Sequence, residues 1–323
     1  IMTNLDDLII ANKNFYSFSK SSDSRKVLTF LVSNDTYVST LTMKFAKATA
    51  QAIGAETIII PNIIYSSKVA RLIGSFRPNL ITNMLLLMSK TLLTKFMSIV
   101  SNALRATSGE SILKINIDGV TVGPHIYDYL LTKCAVSSID NVSFKMRLLI
   151  IIELTYFFSS KSIIKAHKNP LVILPDNAYR QGMIFELCKD SSIECLSGLS
   201  MTEFSIYHYK NDHDYKYHCR TPYSNEFKRA MSDNHFKSNA RSYLDSRIRG
   251  EGQQHDVIRA YSSNKKNISS KNLIESMSLC PKKPIVLVAT HIFRDAPHAY
   301  PNTLFNDYSD WLIQTCKTLA KNK

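Results

Sequence analysis

The chain predicts an α/β fold built on a parallel sheet, and three observations carry that prediction. Short apolar runs of strand length recur and end at a proline or a polar turn. Amphipathic stretches of helical period lie between them. The succession strand, helix, strand occurs twice, and two parallel neighbours need such a crossover.

Taken in order, residues 25–33 (RKVLTFLVS) read as a buried strand. Residues 38–53 read as a helix with Leu41, Phe45, Ala48 and Ala52 on one face, and 57–60 as a second strand ended by Pro61. Residues 66–106 read as mainly helical, and 110–122 alternate partly, as in an edge strand or hairpin. A long helix follows over 139–167. Residues 171–174 form the next buried strand, stopped by Pro175, with a helix over 178–189 and a strand over 193–196. Residues 222–250 read as helical, and 262–284 form a connection rich in Ser, Asn and Lys.

The last forty residues repeat the pattern once more. The run 285–289 (IVLVA) follows Pro281 and Pro284 and has the continuous apolar character of a strand covered on both faces. A polar loop, THIFRDAPHAYPNTLFND, leads into a helix with Asn306 or Asp307 as N-cap. Tyr308, Trp311, Leu312, Thr315, Cys316 and Leu319 share one face of that helix. One strand and one helix cannot bury a sheet alone. The expected division is therefore an N-terminal extension (1–24), a Rossmann-like domain (25–265), a linker (266–283) and the beginning of a second Rossmann-like domain (284–323) to be completed by further residues.

Composition bounds the function. The 323 residues are 45% apolar, enough for a large core, and the six cysteines show neither C-x-x-C nor zinc-finger spacing, as expected of reduced thiols in a cytoplasmic protein. No signal peptide is expected, because residues 1–24 lack a basic start followed by an apolar core. The run 80–104 carries Lys90 and Lys95, and 148–158 is short and contains Glu153, so both read first as buried helices and second as a membrane-lying face. The net charge of +14 suits phosphorylated small molecules or an anionic membrane surface. It is spread along the chain without a zinc finger, RNP-type aromatic motif or basic arm, so nucleic acid is not expected.

Nine glycines supply neither G-x-G-x-x-G nor G-x-x-x-x-G-K-[ST], and no G-x-S-x-G elbow occurs. Nicotinamide dehydrogenases, P-loop NTPases and α/β-hydrolases are thereby disfavoured. Asp212-His213-Asp214 has the D-x-D form that can hold a divalent metal, but no hydrophobic strand precedes it, and His208, His213 and His218 are spaced too evenly to share a face. A solvated turn is the expectation, with no metal and no cofactor.

In an α/β sheet ligands collect beyond the carboxyl ends of the strands. The loop after 285–289, which concentrates His291, Arg294, Asp295 and His298, is therefore a candidate site from architecture alone. Its wording, FRDAPHAYPNTLFNDYSDWLIQT, also resembles a segment of bacterial capsule and surface-polysaccharide biosynthesis proteins, which are similar to GT-B glycosyltransferases with two Rossmann-like domains. A second phrase, DGVTVGPHIYDYLL at 118–131, is similar to the same family's Gly-x-x-Ile-Tyr-Asp pattern. Where the family has an acidic residue after that glycine, this chain has Pro124. NAYRQGMIFELCKD at 177–190 is a third, weaker similarity.

The resemblance implies a GT-B-like fold. It also implies transfer of a sugar, or a glycerol phosphate, from a nucleotide donor to a polysaccharide or lipid-linked glycan on the cytoplasmic side of the inner membrane. Such a transfer needs a base for the acceptor hydroxyl and positive charge for the departing phosphate. Asp128, with His125 three residues earlier, is the expected base; the plainer alternative is an N-cap for a helix over 129–133. His291, Arg294, Asp295 and His298 are expected at the donor phosphates, with Arg180 on the first turn after the 171–174 strand as a further partner; the plainer alternative is local pairing in a solvated loop. From a different class, the chain also suits a non-catalytic adaptor docking on a membrane or an export complex.

Overall fold

The computed structural model describes residues 5–16, 25–31, 36–61, 66–197, 206–211, 214, 224–249, 251, 268–280, 285–299 and 304–321. Asp212, His213 and His218 of the D-x-D stretch lie outside the described residues. The chain divides into two compact units, one of residues 1–218 with 290–323 and one of residues 219–289.

The first unit is an α/β domain. Its central strand β1 (Lys26–Leu31) pairs in parallel with β2 (Glu56–Pro61) on one side and with β6 (Leu171–Ile173) on the other. Outward lie β3 (Leu80–Ile81) beside β2 and β7 (Cys195–Ser197) beside β6, both parallel, and β8 (Tyr207–Tyr209), an antiparallel edge. The order β3-β2-β1-β6-β7-β8 is compatible with a Rossmann-like sheet. Five of the six β1 residues are buried, as the uninterrupted VLTFL requires of a strand covered on both faces.

Helix α2 (Thr36–Ala52) joins β1 to β2. Its fully buried apolar residues are Met43, Ala46 and Ala50; of the expected face, Leu41 and Phe45 are half-buried, while Ala48 and Ala52 are exposed. The small Ala46 and Ala50 set the helix onto Val27, Leu171 and Ile173 in one core cluster, with Phe45 packed against it. Residues expected as a mere extension form α1 (Leu5–Phe15), which buries Ile9 and bonds Asn12 to Ser75 of α3 (Ser67–Ser75) at 3.1 Å.

The crossover from β3 to β6 is long. It runs through α4 (Met84–Arg105), α5 (Gly109–Leu113), a hairpin of β4 (Asn116–Ile117) and β5 (Val120–Thr121), α6 (Gly123–Cys134) and α7 (Phe144–Lys165). The hairpin turns on Asp118 and Gly119, both at positive φ (51° and 92°), the backbone that a two-residue Asp-Gly loop supplies. Helix α6 begins at Gly123, so Asp128 lies inside it and is not an N-cap.

Helices α4 and α7 pack antiparallel. Arg147 donates to the carbonyls of Ala103 and Leu104 at one end of the pair, and Ser159 to Thr91 at the other. Helix α7 is largely buried, as expected, but α4 is not. Leu93 and Met97 on α4 are 82% and 78% exposed.

Strand β6 leads through α8 (Tyr179–Asp190) to β7, completing the second strand–helix–strand unit. In the second unit, α9 (Ser224–Ser232) and α10 (Asn234–Ile248) provide the expected helices, and Asp233 caps α10 by accepting from the amides of His235 and Phe236. A short helix, α11 (Ser270–Ser276), lies in the expected linker.

Residues 285–289 form no strand. The run pairs with no strand among the described residues and leaves Leu287 89% exposed, so its apolar content does not mark a sheet. The loop and helix that follow, the latter being α12 (Tyr308–Lys321), belong to the first unit. The loop is bonded to α6 and to the start of α8.

Candidate functional site

The connections of the sheet change direction between β1 and β6: from β1 the chain moves outward to β2, and from β6 outward the other way to β7. A doubly wound sheet opens its ligand crevice at such a switch point, beyond the carboxyl ends of the strands. The residues leaving β6 there are Pro175, Asp176, Asn177 and Ala178, followed by the first turn of α8. Tyr179 opens that turn with φ at 52°, in the left-handed region that a bulky residue occupies only under strain.

The 291–307 loop is stitched across this end of the domain. Thr132 donates to the carbonyl of Arg294 at 2.6 Å, Tyr179 to Asp295 Oδ1 at 3.1 Å, and Asn177 Nδ2 to the carbonyl of Ala299 at 3.3 Å. Tyr127 donates to Asp307 Oδ2 at 2.7 Å and accepts from the amide of Ile139 at 3.2 Å. The other oxygen of Asp307 accepts from the amide of Asp310 at 2.8 Å. One buried carboxylate therefore caps α12 and ties it to α6; of the two expected caps, Asp307 is the one used.

At the centre lies Asp128, fully buried on α6. Its Oδ2 accepts from the amide of His298 at 3.0 Å, and its Oδ1 lies 2.6 Å from His298 Nδ1. Burial pushes the Asp128 carboxyl above its ordinary value, while the hydrogen bonds and charge of His298 pull it back. The imidazole stands edge-on to the Tyr127 ring at 5.5 Å, and the His298 side chain is 10% exposed. A carboxylate on Nδ1 fixes a neutral imidazole in the Nδ1–H tautomer, leaving the lone pair on Nε2.

His125 is placed differently from the expectation. It is buried, and among the described residues its Nδ1 has no hydrogen-bond partner. Burial, with the charge of His298 next, lowers its pKa to about 3 and keeps it neutral. Its ring lies against Gly182 of α8, where an added Cβ would come within 2.1 Å of Nδ1. Only a glycine lets α8 approach so closely, and an imidazole enclosed in this way is packing rather than a base.

Arg180 also departs from the expectation. Its Nε and one terminal nitrogen grip Glu153 of α7 at 2.7 and 2.6 Å, and its guanidinium lies 5.2 and 5.1 Å from the ring centres of Tyr129 and Tyr156. Burial pushes the fully buried Glu153 upward against the pull of Arg180, and it pushes the Tyr129 phenol up to about 12. A guanidinium enclosed in this way is committed to Glu153. Arg294, whose side chain is exposed, and His291, 3.9 Å from Asp295 and 4.8 Å from the Tyr308 ring, lie at the outer edge.

Sequence reasoning missed Glu153 and Thr132 as organisers, and at Asp307 it read the cap but not the bond from Tyr127. The readable signal for Glu153 was its solitude in an apolar helix, where a carboxylate must find a cation. A cleft of about 740 Å³ opens elsewhere, at the amino ends of β1, β6 and β7, lined by Arg25, His167, Lys168, Glu194 and Lys210 among others. It touches none of the groups joined to Asp128, and the switch-point geometry favours the carboxyl end as the site.

Comparison with protein-family models, with curated proteins and with solved structures returns no match to this chain.

Proposed function

We propose that the protein transfers a glycosyl group from a nucleotide donor to a surface-glycan acceptor, in a GT-B-like enzyme of which the six-stranded domain is the acceptor side. One observation carries the reading. The two phrases similar to capsule and surface-polysaccharide biosynthesis proteins lie 170 residues apart at Asp128 and His298 and meet in a buried carboxylate–imidazole pair.

In this reading His298 is the base and Asp128 the residue that orients it, where the sequence suggested Asp128 as the base and His298 at the donor phosphates. His298 Nε2 takes the proton of the acceptor hydroxyl as its oxygen forms a bond to the anomeric carbon. The bond from that carbon to the donor phosphate breaks, and the nucleotide leaves with the electron pair. Asp128 holds the tautomer and stabilises the imidazolium that forms. Arg294 and His291, at the outer edge, supply positive charge to the departing phosphate.

The test is turnover with a panel of CMP-, UDP- and GDP-sugars, followed by Asp128→Asn with the active donor. An asparagine amide facing Nδ1 donates to it and moves the ring proton to Nε2, the wrong tautomer for a base. Turnover should fall about 10²- to 10⁴-fold at saturating donor. Near-normal turnover in that variant would reject the pair as catalytic, and failure of every nucleotide sugar to raise the melting temperature would favour the adaptor instead.

A further inference from the structure

Helix α4 presents to solvent what soluble proteins ordinarily cover. Leu85, Leu86, Leu93, Phe96, Met97 and Leu104 are each between 51% and 82% exposed. The helix has 22 residues and a mean hydropathy of 1.4 over its most apolar 18, of which only 22% are buried. By length and composition it could cross a bilayer, yet it lies along α7, with Arg147 and Ser159 fixing the antiparallel contact. The next helix extends the same character. Phe144, Leu148 and Ile152 of α7 recur at i, i+4 and i+8 and are 76%, 46% and 39% exposed.

The antiparallel register places Leu148 near position 103 of α4 and Phe144 beyond its end, so the α7 stripe continues the C-terminal part of the α4 face. Single exposed apolar residues are ordinary, whereas a two-helix face of nine is an interaction surface.

Charge decides what it meets. The α4 sequence MLLLMSKTLLTKFMSIVSNALR contains no Asp or Glu, and its charged residues are Lys90, Lys95 and Arg105, all exposed. Lys145 is also exposed at the start of α7. A face of large apolar side chains bordered by Lys90, on a helix that carries no carboxylate, matches the boundary layer of an anionic bilayer. The side chains enter the acyl region while the cations stay among the headgroups.

We infer that the α4–α7 face is a membrane-lying surface that seats the protein on anionic phospholipid without spanning the bilayer. The inference stands apart from the transfer reaction and is tested without it. Flotation of the full chain with vesicles of phosphatidylcholine alone, or with 30% phosphatidylglycerol, reads the binding, and size-exclusion chromatography in parallel reads self-association.

The native chain should float with the anionic vesicles at least about tenfold better than with the neutral ones, and lose that binding as salt rises. The double variant L93E/M97E, at two of the most exposed side chains of α4, should bind at least about tenfold less with its melting temperature unchanged. K90E/K95E should remove the preference for anionic lipid. Three outcomes would overturn the inference: no binding to anionic vesicles, binding that L93E/M97E leaves intact, or a native dimer that the same variant dissolves while vesicles recruit neither form.

Discussion

Two buried acid–base pairs lie close together around α6, α7 and α8, and they behave as opposites. Glu153 and Arg180 face each other through two hydrogen bonds and are walled by Tyr129 and Tyr156. Asp128 and His298 join a helix to a loop, and their basic side chain is as covered as Arg180, each being 10% exposed. The first pair holds a cation that never releases its proton. The second contains an imidazole, a side chain able to take up and give back a proton. Burial is common to both and does not identify a site; a transferable proton does.

The largest effect expected from breaking this contrast is at Glu153. Glu153→Gln leaves the Arg180 charge buried without its counter-ion and should lower the unfolding free energy by about 3–5 kcal/mol. Urea unfolding measures it. Because the pair has no part in the chemistry proposed here, turnover per folded molecule should change little, the reverse of the pattern expected for Asp128→Asn. A large loss of turnover with stability intact would move Arg180 back among the functional cations.

That distinction was only partly legible in the sequence. The sheet was readable because its strands are unbroken apolar runs ended by proline or polar turns, as in VLTFL and LVILP. The same rule failed at 285–289, where an equally apolar run stays unpaired, since apolar content reports suitability for burial and not the presence of a neighbouring strand. Asp128 and His298 were each legible as chemistry-bearing residues. Their pairing was not, because contacts over 170 residues are set by how the loop docks on α6 and leave no periodic trace. Arg180 was misread for a related reason. Its place on the first turn of α8 suggested a phosphate partner, while its actual partner sits one helix away in a segment that reads as plain core.

A second, smaller effect separates the two histidines at the site. His125 has a folded pKa of about 3 against an ordinary value of 6.5. The unfolded chain therefore binds one more proton between those limits. The stability contribution is complete above pH 6.5 and is lost as pH falls toward 3, at up to about 1.4 kcal/mol per pH unit. His125→Leu removes the titration without orphaning a hydrogen bond, since Nδ1 has none to lose. Urea midpoints between pH 7.5 and 5 should fall more steeply for the native chain than for the variant. Equal slopes would mean that His125 is protonated in the fold and faces a partner.

The smallest effect sharpens what holds His298 in place. Its loop is fastened by Asp128 and Asp307 from α6 and α12, and by the Tyr179 hydroxyl on Asp295. Tyr179→Phe deletes the last of these, together with the 3.5 Å bond that Thr132 donates to the same oxygen, and the ring still fills its place. A half-buried hydrogen bond of this kind contributes about 1 kcal/mol, so the His298 amide should exchange with solvent deuterium about fivefold faster, with global unfolding nearly unchanged. Because Tyr179 is held at positive φ, the strained backbone has a purpose if the hydroxyl positions the loop, and none if it does not. An unchanged His298 exchange rate would assign the positioning to Asp128 and Asp307 and leave the conformation of Tyr179 a consequence of how tightly α8 is set against His125 at Gly182.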